Sequence, residues 1–145
     1  MYGKKTEISV GIFMMAGIAC LIYLSVNLGH VDLFGSDDYI IKAKFGSIEG
    51  LEVAASVEIA GVPVGKVKRI TLDENEALVE MEIKKGTRIT DDTIASIRTK
   101  GIIGDKFVKL SPGGSEDMIS DKGSLMDTES AISLEELVSK YIFKK

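Results

Sequence analysis

Charge is absent from Ile8 to Leu28, and from Tyr39 onward apolar and charged positions begin to alternate. The first pattern predicts one long helix that is apolar on every side. Its 21 residues, at about 1.5 Å of rise each, reach roughly 30 Å, the thickness of a bilayer core. The second pattern predicts strands. Tyr39, Ile41, Ala43 and Phe45 alternate with Ile40, Lys42 and Lys44, and Ala77, Val79, Met81 and Ile83 with Leu78, Glu80, Glu82 and Lys84. Shorter runs of the same period lie around Val57 and Ile59, over Val62–Leu72, over Ile94–Thr99, over Phe107–Leu110 and at Ser124–Met126. Gly61, Pro63 and Gly65 punctuate the second of these and predict a tight turn or a bulged bend. Asp73–Glu76 and Ser111–Ser115 read as turns.

Near the C-terminus the period changes. Leu134, Leu137, Val138, Tyr141 and Ile142 fall on one stripe of a short helix, and Ser133 with Glu136 has the spacing of a capping box. A helix this short is marginal alone in water, so the stripe must dock on the barrel, on a partner or on copies of itself. The chain therefore divides into an N-terminal segment 1–7, a transmembrane helix 8–28, a connector 29–38, a β domain 39–129 and a helical tail 130–145. Many short strands with frequent turns predict a mainly β fold. A barrel is favoured over a sandwich because closure hides strand edges.

Charge orients the anchor. Lys4 and Lys5 precede the span and Asp32, Asp37 and Asp38 follow it, which predicts a cytoplasmic N-terminus and a translocated β domain. A cleaved signal peptide fits less well, because the apolar stretch is long and no small-residue cleavage site follows it. Removing Lys4, Lys5 and Glu7 leaves 16 basic and 21 acidic residues, a net charge of −5 beyond the span. Such a domain is a poor partner for nucleic acid, which needs clustered Lys and Arg.

Composition also narrows the chemistry. The one cysteine, Cys20, lies inside the span, and the one histidine, His30, lies in the connector. Thiolate metal sites, Cys/His pairs and a Ser/His/Asp triad are thereby removed from the β domain, and neither catalysis nor a cofactor is expected. The acidic doublets Asp37-Asp38, Asp91-Asp92 and Glu135-Glu136 are read as solvated surface or helix N-terminal charge. Asp73-x-Asn75 begins like a calcium loop, but Leu78 stands where that loop needs glycine.

One stretch breaks the polar–apolar logic. In Lys100-Gly-Ile-Ile-Gly-Asp-Lys106 two isoleucines stand side by side between glycines, in a loop that should be polar. On base rates Ile102 and Ile103 would plug the end of their own barrel. Alternatively they form an apolar tip, hinged at Gly101 and Gly104. The GxxG spacing is shared with the RNA-clamping KH loop, but that loop joins helices and carries basic charge.

Two blocks carry a family resemblance. Gly50-Leu51, Val57 and the run Ile59-Ala-Gly-Val-Pro-Val-Gly65 with Lys66-Val67 resemble one signature of the MCE domain family. Arg98-Thr-Lys-Gly-Ile-Ile-Gly-Asp-Lys-Phe-Val108 resembles the second, in the right order and at a fitting distance. With one span before and a short helix after, the whole chain is similar to the membrane-anchored lipid-binding subunits of bacterial phospholipid ABC transporters. The resemblance implies a barrel of about seven strands and a homohexameric ring on the periplasmic side of the inner membrane. It also implies a permease and an ATPase as partners, and phospholipid passing through the ring. It maps the pore loop onto Gly101, Ile102, Ile103 and Gly104 and leaves Gly61 and Gly65 as structural glycines. The stripe Leu134, Leu137, Val138, Tyr141 and Ile142 either packs on its own barrel or forms a second apolar lining. Two other classes stay open: an extracytoplasmic protein-interaction module, and an assembly subunit with no lipid in its pore.

Overall fold

The computed structural model of the chain describes residues 3–28 and 37–144. The expected connector 29–38, with His30, lies mostly outside the described residues. Two compact units result, Met1–Ser36 and Asp37–Lys145.

The described part of the first unit is one helix, α1 (Lys4–Leu28), of 25 residues with none buried. It begins a turn earlier than the apolar run because Lys4, Lys5 and Glu7 are good helix formers and nothing there breaks the helix. Its length, roughly 37 Å at 1.5 Å per residue, and its apolar composition suit a membrane crossing. In such a span Gly11 and Gly17 have open space around them, and Cys20 is exposed.

The second unit is one eight-stranded sheet followed by a helix. Its strands are β1 (Tyr39–Phe45), β2 (Ser56–Ile59), β3 (Val62–Asp73), β4 (Glu76–Ile83), β5 (Ile94–Thr99), β6 (Lys106–Ser111), β7 (Ser124–Leu125) and β8 (Thr128–Glu129), and the tail helix is α2 (Leu134–Phe143). The order across the sheet is β7-β1-β4-β3-β2-β6-β5-β8. The outermost strands, β7 and β8, are consecutive in the chain, so the sheet curls until its two edges are carried by one short segment. β7 runs parallel to β1 and β8 parallel to β5. The Thr128 hydroxyl donates to the Lys44 carbonyl at 2.7 Å, and the Ala131 N–H to that of Ser47 at 3.0 Å. The result is a nearly closed barrel, which leaves little open edge. The eighth strand, β8, is two residues long and has no periodicity of its own. Side-chain bonds hold it: Glu129 accepts from Ser96 Oγ and from the Arg98 guanidinium, each at 2.7 Å.

The barrel interior follows the alternation. Ile41, Ala43 and Phe45 of β1 face inward with Val79, Met81 and Ile83 of β4, all fully buried. Ile89, on the long loop between β4 and β5, joins the same core. The Tyr39 hydroxyl fixes that loop by donating to the Thr87 carbonyl at 2.6 Å.

Both early hairpins turn through two residues with positive φ. Ala60 (51°) and Gly61 (84°) join β2 to β3, and Glu74 (50°) and Asn75 (69°) join β3 to β4. Such turns match the twist of the paired strands. The turn therefore uses Gly61, while Pro63 and Gly65 lie inside β3, on either side of a bulge at Val64. Pro63 is tolerated because the β4 ladder reaches only as far as Gly65. Gly65 is needed for space: any Cβ there would run into the Glu82 carbonyl. Gly113 is needed for a similar reason, since a Cβ would overlap the Asp92 carboxylate.

Two substitutions test these backbone assignments. Gly65→Ala should cost about 1–3 kcal/mol, because the β3–β4 contact must open to admit the methyl group. Glu74→Asn should stabilise by about 0.5–1 kcal/mol, because asparagine tolerates the left-handed conformation better. Urea unfolding of the two variants beside the parent chain measures both.

Candidate functional site

Residues 100–105 connect β5 to β6 as a closed hairpin loop. The Lys100 N–H donates to the Asp105 carbonyl at 2.9 Å across its base. Gly101 has φ +69°, a conformation L side chains rarely adopt, and a Cβ at Gly104 would overlap the Lys100 carbonyl. These glycines make the loop tight. At the expected hinge positions the chain makes a tight bend. Its tip points away from the barrel interior: Ile102 is 78% exposed and Ile103 94%. The two isoleucines therefore do not plug the barrel in which they reside.

Beneath the tip lies an ion pair that the alternation pattern hid. Glu58 is only 9% exposed, and its Oε1 accepts from Lys100 Nζ at 2.9 Å and from Ser56 Oγ at 2.8 Å. The pattern assigns Glu58 to the outer face, opposite Val57 and Ile59. Glu58 is buried on that face, beside Ser56 and paired with Lys100; the ladder from β2 to β6 runs unbroken, and the bulge between β2 and β3 has its extra residue, Val64, in β3. The Lys100 hydrogen bond, then that of Ser56, hold the Glu58 carboxyl below the usual carboxylate range, against the opposing effect of burial. The Lys100 ammonium also lies 5.7 Å from the centre of the Phe107 ring, within cation–π reach. Lys100 immediately precedes Gly101, so the loop is anchored at its root by charge, ring and backbone together.

The tail helix starts close by. Ser133 caps it by accepting from the Glu136 N–H at 3.3 Å. The other half of the expected capping box is replaced, because the Glu136 carboxylate pairs with Lys140 at 2.8 Å. No residue of α2 is buried. Leu134, Leu137, Val138, Tyr141 and Ile142 are all more than half exposed, so the stripe does not pack on its own barrel. Lys106, at the other root of the loop, donates from Nζ to the Ile132 carbonyl at 3.2 Å. That bond ties the start of the tail to the loop. Between them runs a groove of about 500 Å³, lined in part by Gly101, Ile102, Ile103, Gly104, Ile132 and Leu134.

The site thus joins an apolar tip, an apolar groove and an apolar helix stripe, all open to solvent in one chain. Burying one isoleucine is worth roughly 1.5–3 kcal/mol. Among the described residues no three His, Cys, Asp or Glu side chains gather as metal ligands would.

The ion pair gives a pH signature. A carboxylate whose folded pKa is depressed contributes stability above its unfolded value and loses it as pH falls through the folded one. The difference in thermal midpoint between the parent chain and Glu58→Gln should therefore be full at pH 7 and shrink only below about pH 4. Thermal unfolding followed by circular dichroism across that range checks it.

Comparison with known proteins places this geometry. The family model described as MlaD protein matches residues 37–113. The chain is 33% identical over 146 residues to the intermembrane phospholipid transport system binding protein MlaD of Haemophilus influenzae, covering 96% of this chain and 87% of that one. It is 33% identical over 152 residues to the protein of the same name from Escherichia coli K12, covering 99% and 83%. Its fold is similar to a chain in the Acinetobacter MlaFEDB complex in the ATP-bound Vtrans1 conformation, with a TM-score of 0.73, 23% identity, and coverage of 96% of this chain and 100% of that chain. The chain belongs to the MlaD family.

Proposed function

We propose that this chain is the membrane-anchored phospholipid-binding subunit of an ABC-type transport system. The observation that carries the reading is the pair Ile102–Ile103, exposed at the tip of a loop braced at its root. Exposed apolar clusters of this kind mark surfaces that something covers. The names of the relatives supply the class of occupant.

In this reading α1 spans the inner membrane with its N-terminus in the cytoplasm, and the barrel 39–129 stands in the periplasm. Six copies form a ring. Each contributes Ile102 and Ile103 to an apolar collar, with Gly101 and Gly104 fixing the bend. The stripe of α2 adds a second apolar lining through helix–helix packing around the same axis. A permease and an ATPase complete the system. The role is passage rather than reaction, so no side chain has to exchange protons or electrons with the lipid. Each methylene kept out of water is worth about 0.8 kcal/mol, so two acyl chains need a continuous apolar route. The collar offers part of one.

A photo-crosslinking residue at position 103 tests the proposal in cells. Phospholipid adducts are the expected product, and adducts with protein alone would point to an interaction module instead. Ile103→Asn should leave the assembly intact and lower bound phospholipid about tenfold, the factor for one lost apolar contact of this size. Lipid extraction and mass spectrometry of the purified protein read the change.

A further inference from the structure

The groove between loop and tail holds charges as well as apolar walls. Ile102, Ile103, Ile132 and Leu134 supply the apolar side. Lys106, Glu49 and Glu135 line the same groove. Lys106 is half-buried, and the hydrogen bond its ammonium makes is to the neutral carbonyl of Ile132, at a long 3.2 Å. Among the described residues no carboxylate pairs with it, although Lys100, one loop-length away, is taken by Glu58. Glu49 and Glu135 are exposed and likewise have no cation partner among the described residues.

One cation without a counter-ion and two carboxylates without one thus surround a single apolar recess. A hydrocarbon would leave all three charges unused. A purely anionic head would meet Lys106 but also face two like charges. A head bearing a phosphate and an ammonium matches both signs. Lys106 has ammonium protons beyond the one given to Ile132, and ammonium–phosphate hydrogen bonds are among the strong ones. A plainer account has Lys106 merely holding the tail, Glu135 favouring the helix N-terminus and Glu49 solvated.

We propose that this groove takes the head group of a zwitterionic phospholipid, with Lys106 on the phosphate, Glu49 and Glu135 on the head-group ammonium, and the first acyl carbons against Ile102 and Ile103. This assignment rests on the phospholipid-binding reading above and adds to it a preference for head-group charge.

The test uses the full chain purified in detergent and exchanged against vesicles of equimolar phosphatidylethanolamine and phosphatidylglycerol. Bound lipid is extracted and quantified by mass spectrometry. The parent chain should enrich the zwitterionic lipid. Lys106→Gln should lower bound phospholipid about tenfold, the factor for one charge-assisted hydrogen bond, while uptake of a photoreactive fatty alcohol is unchanged. Lys106→Arg should restore binding, which a purely tail-holding role does not require. The double variant Glu49→Gln with Glu135→Gln should lose the preference and take both lipids equally. Equal or anionic-favouring uptake by the parent chain overturns the assignment, as does a Lys106→Gln protein that binds phospholipid like the parent, and in both cases the phospholipid-binding reading survives. A parent chain that takes up neither lipid overturns that reading and this assignment together.

Discussion

Everything beyond α1 depends on the closure of the sheet by residues 124–131. One short segment supplies a strand to each edge and then hydrogen-bonds to the end of β1 through Thr128 and Ala131. A curled sheet with free edges is a template for aggregation, and its strands slip easily. Closure removes both problems without a disulfide, which the cysteine content rules out. It also sets where the tail leaves the barrel. Because Ala131 is pinned to Ser47 and Ile132 to Lys106, α2 begins beside the loop and nowhere else.

The loop itself holds hydrophobic side chains at an exposed, defined place. Flexibility would let Ile102 and Ile103 fold back onto the barrel. Three constraints oppose this: the backbone bond between Lys100 and Asp105, the crowding at Gly104, and the Glu58–Lys100 pair. A buried ion pair is a weak source of net stability, because desolvation offsets much of the attraction. Here its value is positional. It fixes a lysine whose next residue starts the bend.

The sequence made much of this legible, and the reasons differ by element. The anchor and strands β1 and β4 are plain in the alternation because each has one wet and one dry face, or none that is wet. The cap and stripe of α2 are equally plain. β8 is not legible, since two residues carry no period and its pairing with β5 is reinforced by side chains from that strand. Glu58 keeps the outer face that the alternation gives it, but its burial there is not legible, because its partner Lys100 comes from a distant part of the chain. The loop glycines are legible as positions, but a letter G does not say that at Gly104 it lets the chain approach the Lys100 carbonyl. Lys106 gave no signal at all. Its meeting with Ile132 is 26 residues distant in sequence and exists only because the barrel closes.

The exposed stripe of α2 has a thermodynamic corollary. Ten residues, one side-chain cap and one i,i+4 ion pair are a meagre basis for a helix in water. Whatever surface covers Leu137, Val138 and Tyr141 therefore also supplies most of the free energy that keeps the segment helical. Ordering of the tail and burial of its stripe are then one coupled equilibrium, and the helical content of the last dozen residues becomes a gauge of assembly.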